Sequence, residues 1–181
     1  MARKKGFKYR FYPTEEQRGV LAEVFGHTRY VWNWGLELRT NSYYEKGESL
    51  SYTDTARRLT DLKKEKTWLR EVSSVAFQQK LRDLDQAFEN FFDGHCGYPN
   101  FKSKHNFKSK HDKQAARFAS NAFTLHGKRL SVAKVPGTLK VPGTLNVRWS
   151  RDLPDEAKPT SVTLTKDPAG RYLREYHLHN A

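Results

Sequence analysis

The chain has 181 residues, 36% of them hydrophobic and 13% aromatic, which is enough for one or two small cores, so high charge does not by itself mean disorder. Its 33 Lys and Arg exceed its 20 Asp and Glu to give a net charge of +13, which points to a polyanionic partner, nucleic acid being the commonest. No apolar run is long enough for a bilayer, the basic start Met1–Arg10 lacks the apolar stretch of a secretory leader, and the single cysteine, Cys96, excludes an internal disulfide or a multi-cysteine zinc site. A cytoplasmic, nucleoid-associated protein with no membrane partner is therefore expected.

In chain order, Gly6–Tyr12 alternates aromatic and basic residues, predicting a strand with one apolar and one basic face. Pro13 stops it, and Thr14 with Gln17 matches a capping box that starts a helix carrying Val20, Leu21, Val24 and Phe25. Gly26 is expected to end or bend that helix, and a second should follow over 27–44, with Gly47 closing it. Ser51 and Asp54 predict another capped start, before Ala56, Leu59 and Leu62. Trp68 and Leu69 read as a short buried connector. The clearest helix spans 74–92, where Phe77, Leu81, Leu84, Phe88 and Phe91 follow one helical face. Gly94, Gly97 and Pro99 end it.

Past Pro99 the texture becomes short, β-prone runs at 116–125, 129–135, 145–149, 161–165 and 172–178, as in an antiparallel sheet or small barrel with which the first strand pairs. Between Tyr98 and Lys140 stand ten Lys or Arg and one acid, Asp112. Phe101, Phe107, Phe118 and Phe123 are interleaved, a pattern suited to phosphates and bases, with a solvated basic loop as the plain alternative. Two hexapeptides are doubled in this region: Asn-Phe-Lys-Ser-Lys-His at 100–111 and Lys-Val-Pro-Gly-Thr-Leu at 134–145. Six is even, so an extra copy in a strand leaves its two faces unchanged, and neutral insertion is preferred over a doubled phosphate-binding arm.

Several ordered blocks then carry a family resemblance: Phe11-Tyr12-Pro13-Thr14 with Gln17, Arg29-Tyr30-Val31-Trp32-Asn33, Leu59–Lys63, Trp68-Leu69, Leu84–Phe92 and Tyr98–Lys104. Over nearly its whole length the chain resembles the N-terminal half of TnpB, also called OrfB, the RNA-guided nuclease of small bacterial insertion sequences. The resemblance implies an α+β fold: a small oligonucleotide-binding-like (wedge) β-barrel interrupted by an inserted α-helical recognition domain, often named a helix-turn-helix. The implied domains are the first barrel strand (1–13), the helical recognition domain (14–97), a basic linker (98–115) and the rest of the barrel (116–181). The implied partners are a guide RNA and double-stranded DNA with a short target-adjacent motif.

By that resemblance Tyr52, Ser74, Gln78, Ser120 and Asn121 occupy the positions that read the DNA motif; Ala56 stands where a small polar reader would be. Lys4, Lys5, Lys8, Lys102, Lys104, Lys108, Lys110, Lys113 and Arg117 are the expected phosphate contacts, setting affinity and salt dependence. Tyr30, Trp32 and Phe88 are expected to serve the core, and Asn33 to be a buried hydrogen bonder or a contact residue, the former preferred.

The resemblance also implies that the catalytic carboxylates and a zinc ribbon lie past Ala181, with Leu173–Ala181 read as a tail that does not continue the apolar strand pattern. Metal-dependent cleavage needs converging carboxylates, whereas the acids here sit in mixed-charge helical runs such as 61–65. His177 and His179 make only two ligands, and His95 beside Cys96 lacks the base and orienter of a nucleophile. No catalytic residue, metal site or cofactor is assigned, and a truncated, nuclease-dead binding protein is expected. The alternatives are a subunit completed by a separately encoded nuclease domain, or a DNA-binding occupancy repressor.

Overall fold

The alternation at the start of the chain produces strand β1 (Lys4–Phe11), with Phe7 and Phe11 buried and Lys8 and Arg10 exposed. The computed structural model describes residues 4–103, 113–126, 129–137, 139–140 and 158–179, with the backbone alone described at 4, 5, 139, 140 and 179. Among the described residues the fold is mixed α and β, with three α-helices and two antiparallel sheets. The chain divides into two compact units, one formed by 1–25 with 107–181 and the other by 26–106.

The first unit holds both sheets. One has the strand order β1-β7-β6-β2, from β2 (Gln114–Ala119), β6 (Ser161–Lys166) and β7 (Tyr172–His179). The other has the order β3-β4-β5, from β3 (Phe123–His126), β4 (Arg129–Val132) and β5 (Leu139–Lys140). The run 116–125, expected as one strand, is two: a 3-10 turn at Ser120–Ala122 separates β2, which pairs with β6, from β3, which pairs with β4. The expected strand at 145–149 lies outside the described residues.

Leu173–Ala181 is not a tail, at least as far as His179. Tyr172–His179 forms β7, paired with β1 on one side and β6 on the other, with Lys4 opposite His179 and Phe11 opposite Tyr172. Tyr172, Arg174, Tyr176 and Leu178 are buried at alternate positions, so the period of two is present, but one of its inward positions is a charged residue. Arg174 lies in the row Tyr9–Arg174–Leu164–Ala116, its guanidinium carbon 5.3 Å from the Tyr176 ring centroid and 6.0 Å from that of Tyr9. The electron-rich ring faces favour a cation that the surrounding apolar rows do not. Burial lowers the pKa of Arg174, and the neighbouring Tyr176 and Tyr9 oppose that shift.

Tyr176 feels the same environment. Its ring is 1% exposed and its hydroxyl has no hydrogen-bond partner among the described residues. Burial pushes its pKa from 10.0 up to about 12, with Arg174 opposing and Tyr9 adding to the rise. The folded value is above the unfolded one, so the stabilising difference is full below pH 10 and is lost as pH rises from 10 to about 12. Two pKa units correspond to roughly 2–3 kcal/mol at the alkaline end. Tyr176→Phe is expected to match the wild type at pH 7 and to retain more stability near pH 11.5, as read from urea unfolding at both pH values.

Helix α1 (Glu15–Lys46) starts on a reciprocal cap: the Thr14 amide donates to Gln17 Oε1 at 3.0 Å, and the Gln17 amide donates to Thr14 Oγ1 at 3.2 Å. The Gln17 side chain also donates to the Pro136 carbonyl at 2.9 Å, fastening the helix start to the turn after β4. Gly26 neither ends nor bends the helix into two. One interior glycine costs about 1 kcal/mol, less than the burial of Val24, Phe25, Thr28 and Val31 around it supplies. Gly47, with φ of +67°, is the residue that closes the helix.

In the second unit, α2 (Tyr52–Glu65) begins on a capping box between Ser51 and Asp54, and those hydrogen bonds hold the Asp54 carboxyl below its ordinary pKa. A 3-10 turn (Thr67–Glu71) follows. Leu69 is fully buried as expected, whereas Trp68 is half open and meets His27 and Tyr30 edge-on. Helix α3 (Ser74–Phe92) buries Phe77, Leu81, Leu84 and Phe88, the predicted stripe, with Phe91 half-buried at its end.

Candidate nucleic-acid interface

The helical unit gathers three of the predicted DNA-reading residues. Tyr52 is the first residue of α2 and Ser74 the first of α3, so both sit on capped or turn-defined helix starts. Gln78 is exposed one turn along α3 from half-buried Ser74. A fourth residue, Arg82, continues the stripe one turn further, exposed, with its guanidinium carbon 4.2 Å from the centroid of the Tyr52 ring. The Tyr52 ring on α2 therefore meets the Arg82 end of the stripe Ser74-Gln78-Arg82 on α3. The i+4 step from Gln78 to Arg82 is visible in the sequence; the contact with Tyr52 is not. Ala56 is half-buried in α2. Ser120 and Asn121 lie in the sheet unit, exposed in the turn between β2 and β3.

The predicted phosphate contacts fall into three groups. Lys8 and Arg117 end one cross-strand row on the outward face of the four-stranded sheet, Lys8–Glu175–Thr163–Arg117. Strands about 4.8 Å apart put some 14 Å between the two ends of that row. Exposed Arg10 belongs to the next row, and His177, within 3.3 Å of Thr163 Oγ1, to the one before; neither stands out as a contact from sequence. The Glu175 carboxylate lies across Gly6, where an added Cβ would stand 2.6 Å from its Oε1, so a side chain at position 6 would displace it. Lys4 and Lys5 oppose His179 and Leu178 in the register, and Lys113 is exposed just before β2.

Lys102 is held differently. Asn33 clamps its backbone with two hydrogen bonds, the Lys102 amide donating to Asn33 Oδ1 at 2.8 Å and Asn33 Nδ2 donating to the Lys102 carbonyl at 2.9 Å. The Lys102 ammonium sits 4.0 Å from the centroid of buried Trp32, whose indole N–H donates to the Asn100 carbonyl at 2.9 Å. Lys102 is exposed by area, yet desolvation around its ammonium lowers its pKa, with attraction by Asp83 opposing. Tyr98 completes the docking, its hydroxyl 2.6 Å from Thr40 Oγ1 and its ring edge-on to Phe88 and Phe91. Trp32, Asn33 and Phe88 thus serve to fasten the start of the basic segment. Lys104, Lys108 and Lys110 lie outside the described residues.

Among the described residues no group of three or more His, Cys, Asp or Glu is placed to hold a metal ion, and no helix is long and apolar enough to cross a membrane. Cys96 is exposed in the turns after α3.

A family model described as the helix-turn-helix domain of OrfB from IS605 matches residues 1–48, which here hold β1 and α1. Over 172 residues the chain is 43% identical to a Streptomyces pristinaespiralis protein named "Putative RNA-guided DNA endonuclease", a match covering 94% of this chain and 40% of that protein. It is 33% identical over 107 residues to the Escherichia coli K12 protein named "Putative RNA-guided DNA endonuclease InsQ", covering 58% of this chain and 26% of the relative. The "Virulence protein VsdF" of Salmonella dublin is 33% identical over 105 residues, 52% of this chain and 88% of that protein. The chain thus spans about two fifths and about a quarter of the two endonuclease-named relatives. With the domain match at its start and the relative that pairs with it almost from end to end, the chain belongs to the OrfB, or TnpB-like, family.

Proposed function

We propose that this chain is the nucleic-acid-binding portion of a TnpB-like protein, holding a guide RNA and a short target-adjacent DNA motif. In this reading the sheets belong to a wedge-type barrel, residues 1–13 and 116–181, with the recognition helices of 14–97 inserted and 98–115 as the basic linker. The observation that carries it is the contact of Tyr52, at the start of α2, with Arg82 on the α3 stripe that also holds Ser74 and Gln78, since motif reading needs polar groups on rigid elements. Ser120 and Asn121 are its readers in the sheet unit. Lys4, Lys5, Lys8, Lys102, Lys104, Lys108, Lys110, Lys113 and Arg117 supply phosphate contacts, with Lys8 and Arg117 the best-defined pair.

The test is sequencing of the RNA that copurifies with the chain, followed by salt titration of duplex binding. One RNA species should dominate, and Lys8→Gln with Arg117→Gln should lower the slope of log affinity against log salt by about two, one for each phosphate no longer neutralised. Magnesium should permit binding without cleavage by these 181 residues. Duplex binding without any enriched RNA would favour an occupancy repressor. An unchanged salt slope would remove the sheet face from the footprint, and metal-dependent cutting that chelation abolishes would overturn the non-catalytic reading.

A further inference from the structure

The stacking of Arg82 on Tyr52 carries an inference that rests on the motif-reading role just proposed for Tyr52. A tyrosine ring on the first residue of a helix has a fixed Cα but two side-chain torsions still to be set. The capping box of Ser51 and Asp54 fixes the backbone, so the remaining freedom is in the ring. Arg82 reaches it from α3, with its guanidinium carbon 4.2 Å from the ring centroid, and among the described residues it joins no ion pair that would draw it away. Of its helical neighbours, the Asp85 carboxylate at i+3 is engaged by Arg39 at 2.7 Å, and Gln78 and Gln86 at i−4 and i+4 are uncharged.

We infer that Arg82 is a positioning residue: it stacks on Tyr52, fixes the ring at the start of α2, and so sets discrimination at one base of the DNA motif. The planar guanidinium matters more than the charge, because only a flat cation covers the ring face while its N–H edge stays solvated. Lysine at this position keeps the charge and loses the stack. The exchange is exposed on a helix surface, so the fold should survive it.

The experiment is selection from a randomised duplex DNA library by the full chain with its copurified RNA, repeated for Arg82→Met, Arg82→Lys, Tyr52→Leu and the double variant Tyr52→Leu/Arg82→Met. Arg82→Met should cut discrimination at a single motif position by about 5- to 10-fold with the salt slope unchanged, and Arg82→Lys should recover less than half of the loss. The double variant should be no worse than Tyr52→Leu alone. Three results would overturn the inference: an unaltered motif in Arg82→Met, additive losses in the double variant, or a salt slope lower by about one with the motif intact, which marks a phosphate contact only. If the wild-type chain enriches no motif, the motif-reading proposal itself falls, and this inference with it. Thermal unfolding by circular dichroism identifies any variant whose loss is a folding defect, and Arg82→Lys then decides the question alone.

Discussion

Gly35→Leu should unfold the helical unit at a lower urea concentration than the wild type, with a cost near the upper end of the ~1–3 kcal/mol typical of overpacking. Gly35 lies on α1 where a Cβ would stand 2.9 Å from Leu81 Cδ2 and 3.0 Å from Leu84 Cδ2. Both leucines are at most 1% exposed, so any shift must be taken up within the packed interior. The glycine is therefore a spacing device that lets α1 and α3 cross closely, and a side chain there has to displace the methyls of Leu81 and Leu84. Gly35→Ala sets about 1 kcal/mol of regained helix propensity against a clash typically costing 1–3 kcal/mol, so a smaller net loss is expected. Leu81→Ala in the Gly35→Leu background should restore part of the stability, since residues in contact do not behave additively. An unchanged urea midpoint for Gly35→Leu would show that the helices can part at no cost, and the packing account would fail.

Asn33→Ala should release the start of the basic segment. Two hydrogen bonds to one residue's backbone, each worth about 1 kcal/mol, amount to a loss of protection of roughly 10- to 30-fold at the Lys102 amide in hydrogen exchange. Asn33→Asp separates the two bonds: the carboxylate still accepts from the Lys102 amide but opposes the Lys102 carbonyl, which needs a donor. Exchange at Lys102 should therefore rise strongly in the alanine variant and moderately in the aspartate variant. Equal protection in the wild type and Asn33→Ala would show that Trp32 holds the segment without the clamp. The clamp holds Lys102, a residue of the first copy of the doubled hexapeptide, against α1.

Local chemistry explains what is readable in advance. Thr14 with Gln17 and Ser51 with Asp54 act within one turn, so both caps can be read from spacing, and the stripe from Phe77 to Phe88 is a property of one helix. The departures share a different origin. Intrinsic preference makes Gly26 a helix breaker, and burial on both sides outweighs it. The apolar pattern of β7 is interrupted by Arg174, and only its neighbours in space, Tyr9 and Tyr176, make a buried cation acceptable there. Of the candidate site, the stripe Ser74-Gln78-Arg82 is legible as a spacing. The ring beneath Arg82 and the grip of Asn33 on Lys102 depend on pairings across 30 to 69 residues, which no local rule contains.

The register of β1 against β7 has a consequence for how the molecule is made. β1 leaves the ribosome first and β7 last among the described strands, and each of the eight pairs between them waits for nearly the whole chain. The helices of 26–106 can close on one another before that, since every contact within that unit needs only residues up to 106. During synthesis β1 is therefore an aromatic and basic strand with both edges open, and edge charges such as Lys8 and Arg10 disfavour pairing of such a strand with its own kind. Lys8, proposed above as a phosphate contact, thus also carries charge of the kind that disfavours aggregation of the nascent strand.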